Sequence, residues 1–191
     1  MTWLPTVALL AVLSAPAWSF NGARVEIDLE DLEGKAEEVV EVNLDGETLE
    51  QGSRLLAIRQ GVSGSVKSFL RGIKGVYRRT YRFGMGKSYE DEDVQGFHEQ
   101  MAEGGWSPVI DVKDNDSKEA VTVYSYSEGE QVTGVTVVSA DSSEVTVVNI
   151  VGDVDLGTLS DIGASIGVPE MVIGSTELKK LQVDLPPPSS K

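Results

Sequence analysis

Val121–Leu159 reads VTVYSYSEGEQVTGVTVVSADSSEVTVVNIVGDVDLGTL and contains three runs rich in β-branched residues. The runs are Ala120–Tyr126, Val132–Ser139 and Glu144–Val151, and turn-forming residues at Ser127–Glu130 and Ala140–Ser143 separate them. Short runs of this kind bounded by turns are typical of antiparallel strands. We therefore expect an antiparallel meander here, followed by a helix at about Leu156–Ile166.

Two further strands are predicted upstream, at Val76–Phe83 and Trp106–Val112, with a helix over about Tyr89–Glu103 between them. The acidic first turn of this helix suits the positive end of a helix dipole. Strands joined through a helix are expected to run parallel, with a right-handed crossover. Apolar residues at helical spacing predict two earlier helices, one over about Leu29–Val40 and one over about Thr48–Ile73. Between them Val40, Val42 and Leu44 alternate, which predicts a short extended piece that leads to a turn at Asp45-Gly46.

These elements predict an α+β fold, namely a two-layer sandwich with a mixed, mostly antiparallel sheet of about five strands. The helices are expected to pack on one face of that sheet. We expect a single domain over residues 20–168, followed by a C-terminal extension over 169–191 that ends in a Pro-rich tail.

The N-terminal residues 1–19 read MTWLPTVALLAVLSAPAWS and carry no charged side chain. The apolar core Val7–Leu13 and the small-x-small triplet Ala17-Trp18-Ser19 are typical of a secretory signal peptide that is cleaved after Ser19. The core is too short for a transmembrane helix. The missing Lys or Arg before it departs from the pattern, and an uncleaved anchor or a buried helix is the alternative. We expect an exported protein, periplasmic or extracellular, with no transmembrane segment in the mature chain.

Composition narrows the functional class. The chain has 191 residues, of which 40% are hydrophobic and 25% charged, as in globular domains. A formal net charge of −15 disfavours nonspecific nucleic-acid binding. The sequence contains no cysteine, which excludes disulfides, thiol catalysis and cysteine-based metal sites, and predicts that the protein is not lipidated through an N-terminal cysteine.

Charge is segregated along the chain. Residues 54–87 hold nine Lys or Arg and no Asp or Glu, so the other residues carry seven bases against 31 acids. Three interpretations stay open. In the first, the acidic segments Glu26–Glu50 and Glu90–Asp93 neutralise the basic segment. In the second, the basic segment docks an anionic protein, lipid headgroup or polysaccharide. In the third, it binds nucleic acid, which the overall charge disfavours. The candidate binding residues are Arg71, Lys74, Arg78, Arg79, Arg82 and Lys87.

No catalytic constellation, metal site or cofactor site is predicted. Gly86-Lys87-Ser88 resembles the end of a phosphate-binding loop, but Tyr81 stands where the loop needs its first glycine. Asp114-Asn115-Asp116 begins like a calcium loop and then lacks the later ligands. His98 is the only histidine, and its helical position favours the edge of the core over a catalytic base.

The chain resembles a bacterial exported family called domain of unknown function 4252. The resemblance covers roughly Leu29–Ile166 and rests on Gly75-Val76-Tyr77 at the start of a strand, Gly105-Trp106 before the next, and the meander that ends in Gly152-Asp153-Val154-Asp155-Leu156. Members are typically secreted or lipid-anchored envelope proteins without an established activity. The resemblance therefore implies an envelope location and supplies no catalytic residues.

We therefore expect a soluble exported domain, periplasmic in a Gram-negative bacterium, that acts as a noncatalytic interaction or envelope-stress accessory module. Its contact surface would be the basic Arg54–Lys87 face or a sheet face. The alternative is a small anionic-ligand binder or weak hydrolase that uses the Arg78/Arg79/Arg82 face. A concave pocket at those arginines with a converging carboxylate or His98 would favour the alternative.

Overall fold

The computed structural model describes residues 22–27, 29–51, 71–114, 116 and 118–154. Its elements in chain order are helix α1 (Glu30–Lys35), strands β1 (Glu38–Leu44) and β2 (Ile73–Arg82), helix α2 (Asp91–Glu103), and strands β3 (Ser107–Asp114), β4 (Glu119–Glu128), β5 (Gln131–Ala140) and β6 (Glu144–Gly152). Residues 46–51 and 71–72 are also helical. The predicted signal peptide, the middle of the Thr48–Ile73 helix, the Leu156–Ile166 helix and the C-terminal extension lie outside the described residues.

The strands form one sheet in the order β1-β2-β6-β5-β4-β3, and every neighbouring pair is antiparallel. The prediction of about five strands in a mixed sheet is therefore wrong, because the described strands number six and contain no parallel pair. Strands β2 and β3 do point in the same direction, as predicted. They are not neighbours, because β6 returns from the meander to pair along nearly the whole of β2.

Strand β1 contains the extended piece predicted at Val40–Leu44 and begins earlier, at Glu38, within the predicted helix. The helix expected over Leu29–Val40 ends as α1 at Lys35, and Ala36 is already extended, with φ −64° and ψ 148°. From Glu38 to Leu44 the chain then pairs with β2 in continuous register. The alternation of Val40, Val42 and Leu44, which suits a strand with one half-buried face, prevails there over the helical spacing upstream.

Helix α2 lies where the sequence places it. Its N-terminus has a capping box, in which the Glu90 side chain accepts from the backbone of Asp93 and the Asp93 carboxylate accepts from the Glu90 N–H at 2.7 Å. The Lys35 ammonium lies 2.6 Å from the same Asp93 carboxylate. The acidic turn predicted to face the basic segment is thus paired with α1.

Each face of the sheet buries its own apolar cluster. Strand β6 shows the division, because Val147 belongs to the cluster that includes residues of α1 and α2, and the adjacent Val148 belongs to the opposite one. Helices α1 and α2 pack on the same face of the sheet, as the prediction of helices on one face expects. Leu49, in the helical residues 46–51, packs against the opposite cluster.

Residues 22–27 form a strap across the α2 side of the sheet. The fully buried Asn149 of β6 holds it, since its Oδ1 accepts from the Val25 N–H at 3.1 Å and its Nδ2 donates to the Ala23 carbonyl at 3.1 Å. The same Nδ2 donates to Thr136 Oγ1 at 3.0 Å. A buried amide with its polar atoms satisfied fixes the strap in one position.

Candidate functional site

The basic strand β2 meets carboxylates on both sides. Arg82 Nη1 lies 2.8 Å from Glu38 on β1, and its Nε lies 2.9 Å from Glu144 on β6. The hydrogen bonds to Glu144 and then to Glu38 raise the pKa of the Arg82 guanidinium. The acidic segment Glu26–Glu50 therefore neutralises this arginine directly.

Arg79 is used within the fold in the same way. Its Nη2 lies 2.9 Å from Glu33 on α1, and its Nη1 donates to the Ile27 carbonyl of the strap at 3.0 Å. Only 19% of its side chain is exposed. Arg79 thus fastens α1 and the strap to β2.

The other predicted binding residues differ from Arg79 and Arg82 in their contacts and exposure. Arg78 donates from Nε to Thr80 Oγ1 at 3.0 Å and forms no ion pair with another described residue. Lys74 and Arg71 are exposed, and the exposed Lys87 reaches the Ala36 carbonyl at 3.5 Å. Strand alternation directs Arg79 to the Tyr81 side of the sheet and Arg78 and Arg82 to the other, so the three do not share one sheet face, although Arg78 and Arg79 line a common cleft.

A cleft does open at two of these arginines. This strap cleft has a volume of about 340 Å³ and lies between the strap, α1, β1 and β2. Its lining includes Arg78 and Arg79, together with Arg24, whose guanidinium lies 4.4 Å above the Tyr77 ring. Four glutamates line the same cleft, at positions Glu26, Glu30, Glu33 and Glu41. These carboxylates oppose the entry of an anionic ligand.

A second and larger cavity lies at the other end of the sheet. This α2 groove has a volume of about 850 Å³ and runs between α2 and strands β3 and β4. Residues of α2, including Gln95 and His98, form its wall, and Asp111, Lys113 and Tyr124 are among the strand residues at its floor. Its size is that of small-molecule and peptide sites in proteins.

His98 and Tyr124 form the hydrogen-bonded pair of the groove. The His98 Nδ1 lies 2.6 Å from the Tyr124 hydroxyl, and the ring centroids are 5.9 Å apart. Burial and the neighbouring Lys113 lower the pKa of His98, against the opposing effect of Asp111. Burial, aided by Asp111, raises the pKa of Tyr124. Both side chains are therefore neutral at neutral pH.

The His98–Tyr124 pair does not have the geometry of a catalytic triad. His98 is half-buried at the edge of the core, as its helical position predicts. Among the described residues, the His98 Nδ1 is hydrogen-bonded to the Tyr124 hydroxyl, and no carboxylate is hydrogen-bonded to the ring. The arrangement therefore lacks the carboxylate that orients the histidine base of a catalytic triad. The same part of the chain contains no group of three or more residues that could hold a metal ion.

The sequence did not reveal the groove. Tyr124 and Thr122 lie on one face of β4, and the Thr122 hydroxyl donates to Asp111 Oδ1 on β3 at 3.3 Å. Strand alternation signals that Thr122 and Tyr124 share a face. It does not signal that α2 lies beside that face and leaves it open.

The comparison with known families bears on the whole sheet. A family model described as Domain of unknown function (DUF4252) matches residues 32–162, which is more than half of the chain. The chain belongs to this family. The resemblance expected from the strand motifs is thereby confirmed, and the DUF4252 segment includes every described strand and α2. No curated protein and no solved structure gave a significant match. Within the described residues of this DUF4252 protein, no helix is long and apolar enough to cross a membrane.

Proposed function

We propose that the protein is an exported, noncatalytic interaction module that contacts its partner through the α2 groove. The carrying observation is the open sheet face of β3 and β4 beside α2, with a cavity of about 850 Å³ above it. Its lining combines apolar side chains such as Val94 and Ala140 with polar ones such as His98 and Lys113. An open concavity with a few polar groups is the usual form of a binding site.

The charge distribution supports the groove over the basic segment as the contact surface. Arg79 and Arg82 are held by carboxylates of α1, β1 and β6. This favours the interpretation that the Arg54–Lys87 charge is neutralised within the protein. Docking of an anionic protein, lipid headgroup or polysaccharide would then depend on exposed cations such as Lys74 and Lys87, and salt-dependent binding to anionic vesicles tests it.

A small anionic-ligand binder or weak hydrolase at the arginines is the second candidate. The strap cleft supports it, because Arg24, Arg78 and Arg79 share one concavity with a converging carboxylate, Glu33. The other glutamates of that cleft count against it, since they leave acids in excess of bases. The proposal of an interaction module therefore has the stronger physical basis.

Export is proposed from the N-terminal sequence. Residues 1–19 have the composition of a signal peptide, and the chain has no cysteine to carry a lipid. We propose a periplasmic or extracellular location, with residues 20–168 forming one two-layer α+β domain and 169–191 an extension. The six-stranded antiparallel sheet, which lies within 38–152, is consistent with this division.

Affinity purification from the native envelope tests the groove. Ala120→Arg places a long charged side chain in the groove, whereas Ser127→Arg makes the same change in charge at an exposed position on the same strand. We expect the Ala120 variant to lose the protein that co-purifies with the original chain, and the Ser127 variant to retain it. Thermal unfolding of both variants checks that they fold.

The proposal has two clear ways to fail. Equal co-purification by the two variants would show that the contact lies elsewhere. Co-purification of a small molecule without any protein would favour a ligand-binding function instead, and its retention after Arg78→Gln would then exclude the arginine cleft.

A further inference from the structure

Strand β1 forms one edge of the described sheet, and no other described strand pairs with its outer side. Its pairing within the described residues is with β2 alone, in a continuous register from Glu38 to Leu44. In an antiparallel strand every second residue turns its backbone N–H and C=O away from the partner. Such an edge accepts an additional strand unless something blocks it.

The opposite edge of the sheet is blocked. Strand β3 contains Pro108, and its register with β4 shifts between Pro108 and Ile110. Charged Asp111, Lys113 and Asp114 follow along the same strand. Proline, irregular register and charge are the devices that protect edge strands from association. Strand β1, with the sequence EVVEVNL, has only its glutamates in this role.

The two sides of β1 differ in chemistry. Val40, Val42 and Leu44 are half-buried on one side, whereas Glu41 and Asn43 are exposed on the side of the strap cleft. Val39 on that side is 36% exposed.

Acidic side chains continue beyond Glu41 into the strap cleft. Glu26 and Glu30 line it, and neither they nor Glu41 form an ion pair with a described residue. A strand added to β1 would therefore meet apolar side chains on one side and, on the other, carboxylates that form no ion pair with a described residue.

We infer that β1 binds an extended segment of another protein in which apolar residues alternate with Lys or Arg. The apolar side chains lie beside Val40, Val42 and Leu44, and the basic ones reach Glu41 and the strap cleft. A second copy of this chain is a poor occupant, because it would bring glutamates against glutamates. The surface lies at the opposite end of the sheet from the α2 groove, so either proposal can fail without the other.

Fluorescence anisotropy with a labelled peptide of alternating Lys and Val tests the inference. We expect this peptide to bind the chain and an alternating Glu/Val peptide not to bind. Two N-methylated forms of the Lys/Val peptide distinguish strand addition from charge attraction. Methyl groups on the residues whose N–H groups face β1 should weaken binding at least tenfold, and methyl groups on the other alternate residues should leave binding unchanged.

Substitutions in the chain provide the second arm. Glu41→Lys should weaken binding of the Lys/Val peptide by about tenfold, since it reverses a charge beside the added strand. Glu103→Lys makes the same change at an exposed position in the last turn of α2 and should leave binding unchanged. Absence of binding, equal binding of the two N-methylated peptides, or equal weakening by the two substitutions would each overturn the inference.

Discussion

Protonation of His98 is linked to the stability of the folded state near neutral pH. It is the only histidine, and burial is the main reason that its pKa lies below the ordinary value of about 6.5. The groups around it come from separate elements, with Tyr124 on β4 and both Asp111 and Lys113 on β3. Its ionisation therefore reports directly on the α2 groove.

We predict that stability falls as the pH drops below about 6.5. The unfolded chain binds a proton at His98 before the folded chain does, so the free energy of unfolding decreases towards the folded pKa, by at most about 1.4 kcal/mol per pH unit. His98→Gln should remove this contribution. Denaturant unfolding of both proteins between about pH 5 and 7.5 measures it.

Nuclear magnetic resonance of the single imidazole supplies the control for this prediction. Tyr124→Phe removes the hydroxyl partner and leaves the burial, so the titration should stay below the ordinary histidine range. A histidine that titrates at or above about 6.5 in the original chain would contradict the assignment.

At the same scale, sequence reasoning placed His98 at the edge of the core and could not pair it with Tyr124. Helical spacing gives the position of a side chain relative to its own helix. The 2.6 Å contact joins α2 to β4 across 26 positions of the chain, and only tertiary packing sets it. Adjacent residues on a strand point to opposite faces, so the strand pattern alone does not show that Arg78 and Arg79 line one cleft.

At the scale of elements, turn signals and strand alternation predicted α2 and the five later strands near their observed limits. The first strand was predicted only in part, as a short extended piece at Val40–Leu44. Leu29, Leu32, Ala36 and Val39 have helical spacing, yet the chain leaves the helix after Lys35. The pairing of β1 with β2 places Glu38 opposite Arg82 and Glu41 opposite Arg79. Local spacing contains no information on such a partner.

Glycine substitutions provide an element-scale prediction with opposite signs. Gly96 lies inside α2, and a Cβ there would meet no atom within 4 Å, so Gly96→Ala should stabilise the protein by up to about 1 kcal/mol. Gly152 at the end of β6 has φ +139°, and a Cβ there would collide with the Gly72 carbonyl oxygen. Gly152→Ala should cost about 2 kcal/mol or more.

Chemical denaturation compares the two glycine variants with the original chain. Circular dichroism confirms that the helix content of the Gly96 variant has not fallen. A destabilised Gly96 variant, or a Gly152 variant of unchanged stability, would show that the local environments differ from those described.

At the scale of the whole molecule, two basic residues that are far from the acids along the sequence lie beside them in space. Basic β2 lies between β1 and β6, and its Arg79 and Arg82 meet carboxylates of α1, β1 and β6. Sequence reasoning offered this neutralisation as one of three interpretations. It could not choose among them, because the order of strands in the sheet decides which charges become neighbours.

The predicted export also concerns the molecule as a whole. We predict that cells expressing the full chain release a mature form that begins at Phe20, because signal peptides are cleaved after small-x-small triplets such as Ala17-Trp18-Ser19. Intact mass and N-terminal sequencing of the exported fraction measure this. Replacing Ala17 with a bulky residue should block cleavage, and an exported chain that still begins at Met1 would contradict the prediction.

The central place of β6 has a consequence for the order of events during synthesis. Of the described strands, β6 is the last to emerge from the ribosome, yet it is the one that joins the β1–β2 pair to the rest of the sheet. Until Gly152 has been made, the two halves have no strand to connect them, and their closure requires contacts between distant parts of the chain, which form slowly. The six-stranded sheet therefore cannot close before residue 152 of 191 has been translated, which would suit the export proposed above.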